Sequence, residues 1–103
     1  MQNKQKAINL LGLAERARKL ITGTETVIGS IKKGKVVAVI LANDVQKNTA
    51  EKVIRAAKNK NIPLIDIFTF EELSSAIGKK RKVLALTDAG FYKALAKKIN
   101  EGV

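Results

Sequence analysis

The chain has 103 residues, with 20 Lys and Arg against nine Asp and Glu, a formal net charge of +11, and neither Cys nor His. That inventory excludes disulfides, thiol catalysis and zinc sites built from Cys or His. The length fits one domain, spanning residues 1–103, whose core must be aliphatic because only three Phe and one Tyr are present. A net charge of this size attracts polyanions, and small basic domains are most often nucleic-acid binders.

A first helix is expected from Asn3 to about Lys19, with Ala7, Leu10, Leu11, Ala14 and Ala17 on one face. Gly12 either weakens this helix or marks a close approach of two backbones. Arg16, Arg18 and Lys19 crowd its last turn, where the helix dipole favours cations. Leu20 and Ile21 read as a brief strand. The stretch from Thr22 to Gly34 then reads as a loop opening a second helix. Thr22 and Glu25 fit a capping box, and Thr24 is an equally good N-cap on its own. Val27, Ile28 and Ile31 recur at helical spacing, Lys32 and Lys33 close the helix, and Gly34 suits the residue after its end. A helix N-terminus on so basic a protein is a docking edge for phosphate or a nucleobase, or else a connector packed on a sheet.

Val36 to Ala42 is an unbroken apolar run, the pattern of a strand covered on both faces. Asn48 and Glu51 form a second box-like pair opening a helix over 49–59, with Val53, Ile54 and Ala57 buried. Ile62 to Ile67 is a strand whose Pro63 belongs at its start or on an edge. Thr69 and Glu72 make a third capping box, for a short helix ending at Ile77 and closed by Gly78. Lys79 to Lys82 is a basic loop, Val83 to Leu86 a last strand, and Asp88 the cap of a last helix carrying Phe91, Leu95 and Ile99. Helices alternating with apolar strands predict an α/β fold, a three-layer α/β/α sandwich.

Asn43, Asp44 and Asp88 are expected at the carboxyl ends of strands, where open α/β sheets bind ligands. They form no Asp-x-Asp pair, and no glycine-rich phosphate loop is present. Caps are therefore the better reading of Asp44 and Asp88, and no enzyme, metal or cofactor is expected, with metal-dependent phosphoryl transfer as the alternative. Phe68 or Phe70 could stack on an unstacked base, or both rings could be core. The basic clusters near Arg16–Lys19, Lys32–Lys35 and Lys79–Lys82 could line one edge if the fold gathers them. The longest apolar run is too short to span a bilayer, and no leader pattern opens the chain, so a cytoplasmic protein is expected.

Leu10-Leu-Gly-Leu-Ala14 with Arg16-Ala-Arg-Lys19, Thr22-Gly-Thr-Glu25, Ile31-Lys-Lys-Gly34, Leu41-Ala-Asn-Asp44, Ala76-Ile-Gly78 and Thr87-Asp-Ala-Gly-Phe91 follow one another in an order specific to a family. On those residues the chain resembles the kink-turn-binding ribosomal proteins of the L-seven-Ae and L-thirty-e type, in their small bacterial YlxQ-like branch. The resemblance implies an α/β/α sandwich with a four-stranded mixed sheet, binding structured RNA as a monomer, with ribosomal RNA and the ribosome among the partners it suggests. Assembly or structural work on the ribosome through less specific contacts is the alternative. It implies RNA contacts from Lys19, Gly23, Thr24, Glu25, Thr26, Gly29, Lys33, Gln46, Ile67, Phe68 and Thr69. The helix start at Gly23–Thr26 enters the widened groove at sheared G·A pairs, and the loop after Ile67 covers a flipped-out nucleotide. Four positions depart from the family pattern: Glu25 stands for Asn, Thr26 for Glu, Gly29 for Lys and Arg18 for Gly. A missing Lys contact to a base or phosphate is worth about 1–3 kcal/mol.

Overall fold

The computed structural model describes residues 3–101. The elements run α1 (Asn3–Arg16), β1 (Leu20–Thr22), α2 (Thr24–Lys32), β2 (Ala38–Leu41), α3 (Lys47–Asn59), β3 (Leu64–Ile65), α4 (Phe70–Ile77), β4 (Val83–Leu86) and α5 (Ala89–Asn100). The sheet order is β1-β4-β2-β3. Strand β4 pairs antiparallel with both β1 and β2, while β2 and β3 are parallel. The sheet is therefore mixed, as the resemblance implied.

The two central strands are buried at every position. Side-chain alternation then divides their residues between two cores. Ala38, Ile40, Leu84 and Leu86 pack with Ala7, Leu11, Phe68, Leu73 and Leu95 from the α1, α4 and α5 side. Val39, Leu41, Val83 and Ala85 pack with Val27, Ile31, Val53 and Ala57 from α2 and α3. Burial on both faces explains why these strands read as continuous apolar runs rather than alternating ones.

Helix α1 ends three residues before the expected Lys19. Arg18 takes a left-handed φ of 59°, and the Lys19 N–H reaches back to the Ala14 carbonyl at 2.8 Å. A left-handed residue is what a helix stop needs, and Gly is its usual occupant. The family's Gly at this position thus has a conformational reason, and Arg18 bears the strain instead. Ala17, past the helix end, is exposed rather than on the buried face. At Gly12 a Cβ would lie 2.8 Å from the Ala76 carbonyl oxygen, so this glycine is a close approach of α1 to α4.

Helix α3 begins at Lys47, two residues earlier than expected, with Gln46 as N-cap and no side-chain cap bond. Asn48 and Glu51 lie inside the helix, where Glu51 sits 4.0 Å from Lys47. Strand β3 is only two residues of the expected six. Pro63 brings no N–H to the sheet, though its carbonyl accepts from Val39 at 2.9 Å, and Asp66 is exposed where the chain leaves the sheet.

Candidate RNA-binding edge

One end of the sheet collects the C-termini of β1, β2 and β3 and the N-terminus of β4. Three backbone bonds stitch the segments there. Gly23 N–H donates to the Val83 carbonyl at 2.9 Å, Ala42 N–H to the Lys82 carbonyl at 2.9 Å, and Asn43 N–H to the Phe68 carbonyl at 2.8 Å. The starts of α2, α3 and α4 therefore stand in a row. Side chains add a fourth tie, since Asp44 Oδ1 accepts the Phe70 N–H at 2.8 Å. Asp44 thus anchors the β3–α4 loop instead of capping its own helix. Asp88 does cap α5, accepting from Phe91 N–H at 2.9 Å, but it lies at the opposite end of the sheet because β4 runs antiparallel. Asp88 does follow the carboxyl end of its strand, as expected, but that strand direction keeps it off the edge of Asn43 and Asp44.

The expected capping box of Thr22 and Glu25 does not form. Thr22 is in β1, Thr24 is the first helical residue rather than a cap, and Gly23 is the N-cap, with φ 101°, ψ 140° and no side-chain bond. Only glycine adopts that backbone readily. Its own N–H is committed to β4, which holds the turn in place. The first-turn N–H groups of α2 receive no side-chain cap, and Glu25 and Thr26 are exposed at this positive end of the helix dipole. Glu25, exposed, is drawn sideways to Lys52 of α3 at 3.2 Å. Thr26, Gly29 and Lys33 follow at spacings of one and two turns, so they share a stripe along α2. Nothing lies within 4 Å of a Cβ built at Gly29, so a longer side chain has room.

The β3–α4 loop is stiff by comparison. Thr69 accepts the Glu72 N–H at 3.1 Å and Glu72 accepts the Thr69 N–H at 2.9 Å, a complete capping box. The Thr69 bond holds the Glu72 carboxyl below its usual range, partial burial opposes it, and Lys4 at 3.2 Å adds to the lowering. The Phe68 ring is fully buried and cannot stack on a base. Phe68 precedes the cap and Leu73 is the fourth helical residue, and the two share a core, as in a hydrophobic staple. The staple spacing was readable in the sequence. Phe70 is the ring that remains 37% exposed, while Ile67 is half-buried beside Thr69 and Gln46 is exposed.

The edge thus gathers Gly23, Thr24, Glu25, Thr26, Gln46, Ile67 and Thr69, with Gly29 set back along α2. It does not include Lys19, which lies across the sheet where its carbonyl accepts from the Thr87 N–H at 3.0 Å. Lys33 ends α2 about 14 Å from its start. Of the three basic clusters, only Lys82 from the third reaches this edge through its backbone. The Asp44 anchor is the addition that sequence reasoning did not assign, because it depends on two loops meeting, and of the two rings offered for stacking Phe70 is the exposed one. Among the described residues, no group of three acids is placed to hold a metal.

The chain belongs to the ribosomal protein L7Ae/L30e/S12e/Gadd45 family, whose sequence pattern matches residues 5–96. It is 44% identical over 100 residues to the RNA-binding protein YlxQ of Enterococcus faecium, covering 97% of this chain and 96% of that one. It is 39% identical to the RNA-binding protein YlxQ of Bacillus subtilis, covering 84% of this chain and 87% of that one. A Bacillus halodurans protein of unknown function superposes with a TM-score of 0.87 at 40% identity, covering 92% of this chain and 97% of that one. The Giardia lamblia 15.5kD RNA binding protein shares the fold at a TM-score of 0.75 and 18% identity, over 96% and 86% of the two chains. The family is non-enzymatic, in line with the expectation from the acids.

Proposed function

We propose that this chain is a non-enzymatic, cytoplasmic RNA-binding domain that recognises a kinked RNA helix of the kink-turn kind, ribosomal RNA being one source of such elements. Relatives that match 97% and 84% of this chain are named RNA-binding proteins, and that likeness supports the general reading. The observation that carries the specific one is the contrast within a single edge: an uncapped helix start at Gly23–Thr26 after one outer strand and a braced loop at Ile67–Thr69 after the other. A straight duplex presents no splayed groove for the first and no flipped base for the second. The uncapped N–H groups of α2 meet phosphate or base-edge acceptors, Thr24 and Thr26 hydroxyls donate or accept beside them, and Ile67 and Phe70 offer apolar cover to an unstacked base. Gln46 supplies an amide between the two. The chain works as one domain and as a monomer in this reading.

The test is a gel shift with a kink-turn RNA and a straight duplex of equal length. A preference of at least about tenfold for the kinked RNA, or 1.4 kcal/mol, is expected. Equal affinity would leave charge-driven binding alone. Co-sedimentation with ribosomes after nuclease treatment separates RNA-mediated association from protein contacts.

A further inference from the structure

The opposite end of the sheet has a different chemistry. There the chain segments at Lys19, Thr87, Val37 and Pro63 are stitched in turn. Thr87 N–H donates to Lys19, Val37 N–H to Leu86 at 2.8 Å, and Val39 N–H to Pro63 at 2.9 Å. Three helices end at this edge, and each delivers exposed cations: Arg18 and Lys19 after α1, Lys33 and Lys35 after α2, Lys58 and Lys60 at the end of α3. The four ion pairs of the described residues use none of these six. Of the acids nearby, Glu15 is bound by Lys79 at 2.9 Å and Asp88 is occupied as the cap of α5. The family-type edge, by contrast, carries Glu25, Asp44, Asp66, Glu71 and Glu72.

A cation at a helix C-terminus is favoured by the dipole, so one per helix needs no ligand to explain it. Two per helix on three helices, on one edge and with none in an ion pair, exceed that need and repel one another. We propose that this edge is a second RNA-binding surface, which takes the phosphate backbone of an RNA duplex without reading its sequence or its bend. The row spans about 14 Å across three strand intervals, over which a duplex presents roughly eight charges. Six long flexible cations match such a target, since Lys acts on phosphate as a mobile point charge. With the Gly23 edge occupied, the protein bridges two RNA segments. The proposal extends the RNA-binding reading but does not depend on kink selectivity.

The experiment measures affinity for a straight RNA duplex, to which the kink-reading contacts are blind. One variant carries Arg18→Gln, Lys35→Gln, Lys58→Gln and Lys60→Gln. A control of equal charge carries Lys6→Gln, Lys80→Gln, Lys93→Gln and Lys97→Gln, all exposed positions elsewhere. The first is expected to bind at least about tenfold more weakly near 0.1 M salt, with a salt slope shallower by about three, and the control less than about threefold more weakly. Replacing Lys35, Lys58 and Lys60 by Arg is expected to keep affinity, which separates charge from folding defects. Equal losses in both Gln variants would mean that only net charge matters and would overturn the proposal. So would a loss of binding to anionic phospholipid vesicles with RNA affinity unchanged. Absent kink preference in the wild type, with the edge-specific loss still seen, would sink the kink-turn reading and leave this one standing.

Discussion

Helices α2 and α4 start on one edge of the sheet, after its two outer strands and on opposite faces, and solve the same problem in opposite ways. Each leaves N–H groups with no partner inside the helix. At α4 the protein supplies partners itself: Thr69 and Glu72 close a capping box, and Asp44 takes the Phe70 N–H. At α2 the N-cap is a glycine with no side chain to offer, and Glu25 is turned toward Lys52. The first start is finished by the protein's own side chains, and the second has no side-chain cap.

The largest expected effect sharpens the open side. Gly29→Lys places an ammonium on the stripe behind Thr26, in free space, and should raise affinity for kink-turn RNA by about 1–3 kcal/mol in a filter-binding titration. It should also stabilise α2 by up to about 1 kcal/mol, since Gly is a poor helix residue. Unchanged RNA affinity with raised stability would mean that this face of α2 does not meet RNA. On the closed side, Thr69→Ala removes the cap and should cost about 1 kcal/mol in urea unfolding. Its effect on kinked RNA should exceed that on a straight duplex, because the loop it braces has no role on the straight one. A loss of stability with no change in that ratio would break the proposed division of labour.

The smallest effect concerns pH. Glu72 has a folded-state pKa held below its usual value, first by the Thr69 N–H, with burial opposing and Lys4 assisting. The bound carboxylate therefore contributes stability above the unfolded-state pKa of about 4.3, and loses it as pH falls through the lower folded value. Melting curves taken downward from neutral pH should show the wild type losing more stability than Glu72→Gln. Parallel curves would show that the carboxylate charge contributes nothing to the cap.

Local chemistry was readable wherever a residue's partner lay within a few positions in the chain. Thr69 with Glu72, Asp88 with Phe91, and Gly78 and Gly34 in left-handed turns all form as their spacing implies. The continuous apolar runs at residues 38–41 and 83–86 are the fully buried strands. The same local reasoning failed at Thr22–Glu25, because β4 competes for that segment. Pairing Thr22 with Leu84 and tying Gly23 to Val83 extends β1 through the would-be cap. The resemblance placed Phe68 among the RNA contacts although the staple spacing to Leu73 marks it as the core ring of the pair.

By itself, the sequence determined the alternation of helices and strands, the two-sided core, the excess of positive charge and the family pattern, since propensity, periodicity and composition are local or additive quantities. Only the tertiary structure decided which ends of which elements share an edge. Strand direction is set by how distant segments pair across the sheet. The antiparallel course of β4 between β1 and β2 sends Asp88 to one side and Lys82 to the other. That one choice separates the Gly23 edge from the lysine-rich one. It also leaves Lys19 about 13 Å of extended chain away from the helix start that its sequence neighbours open.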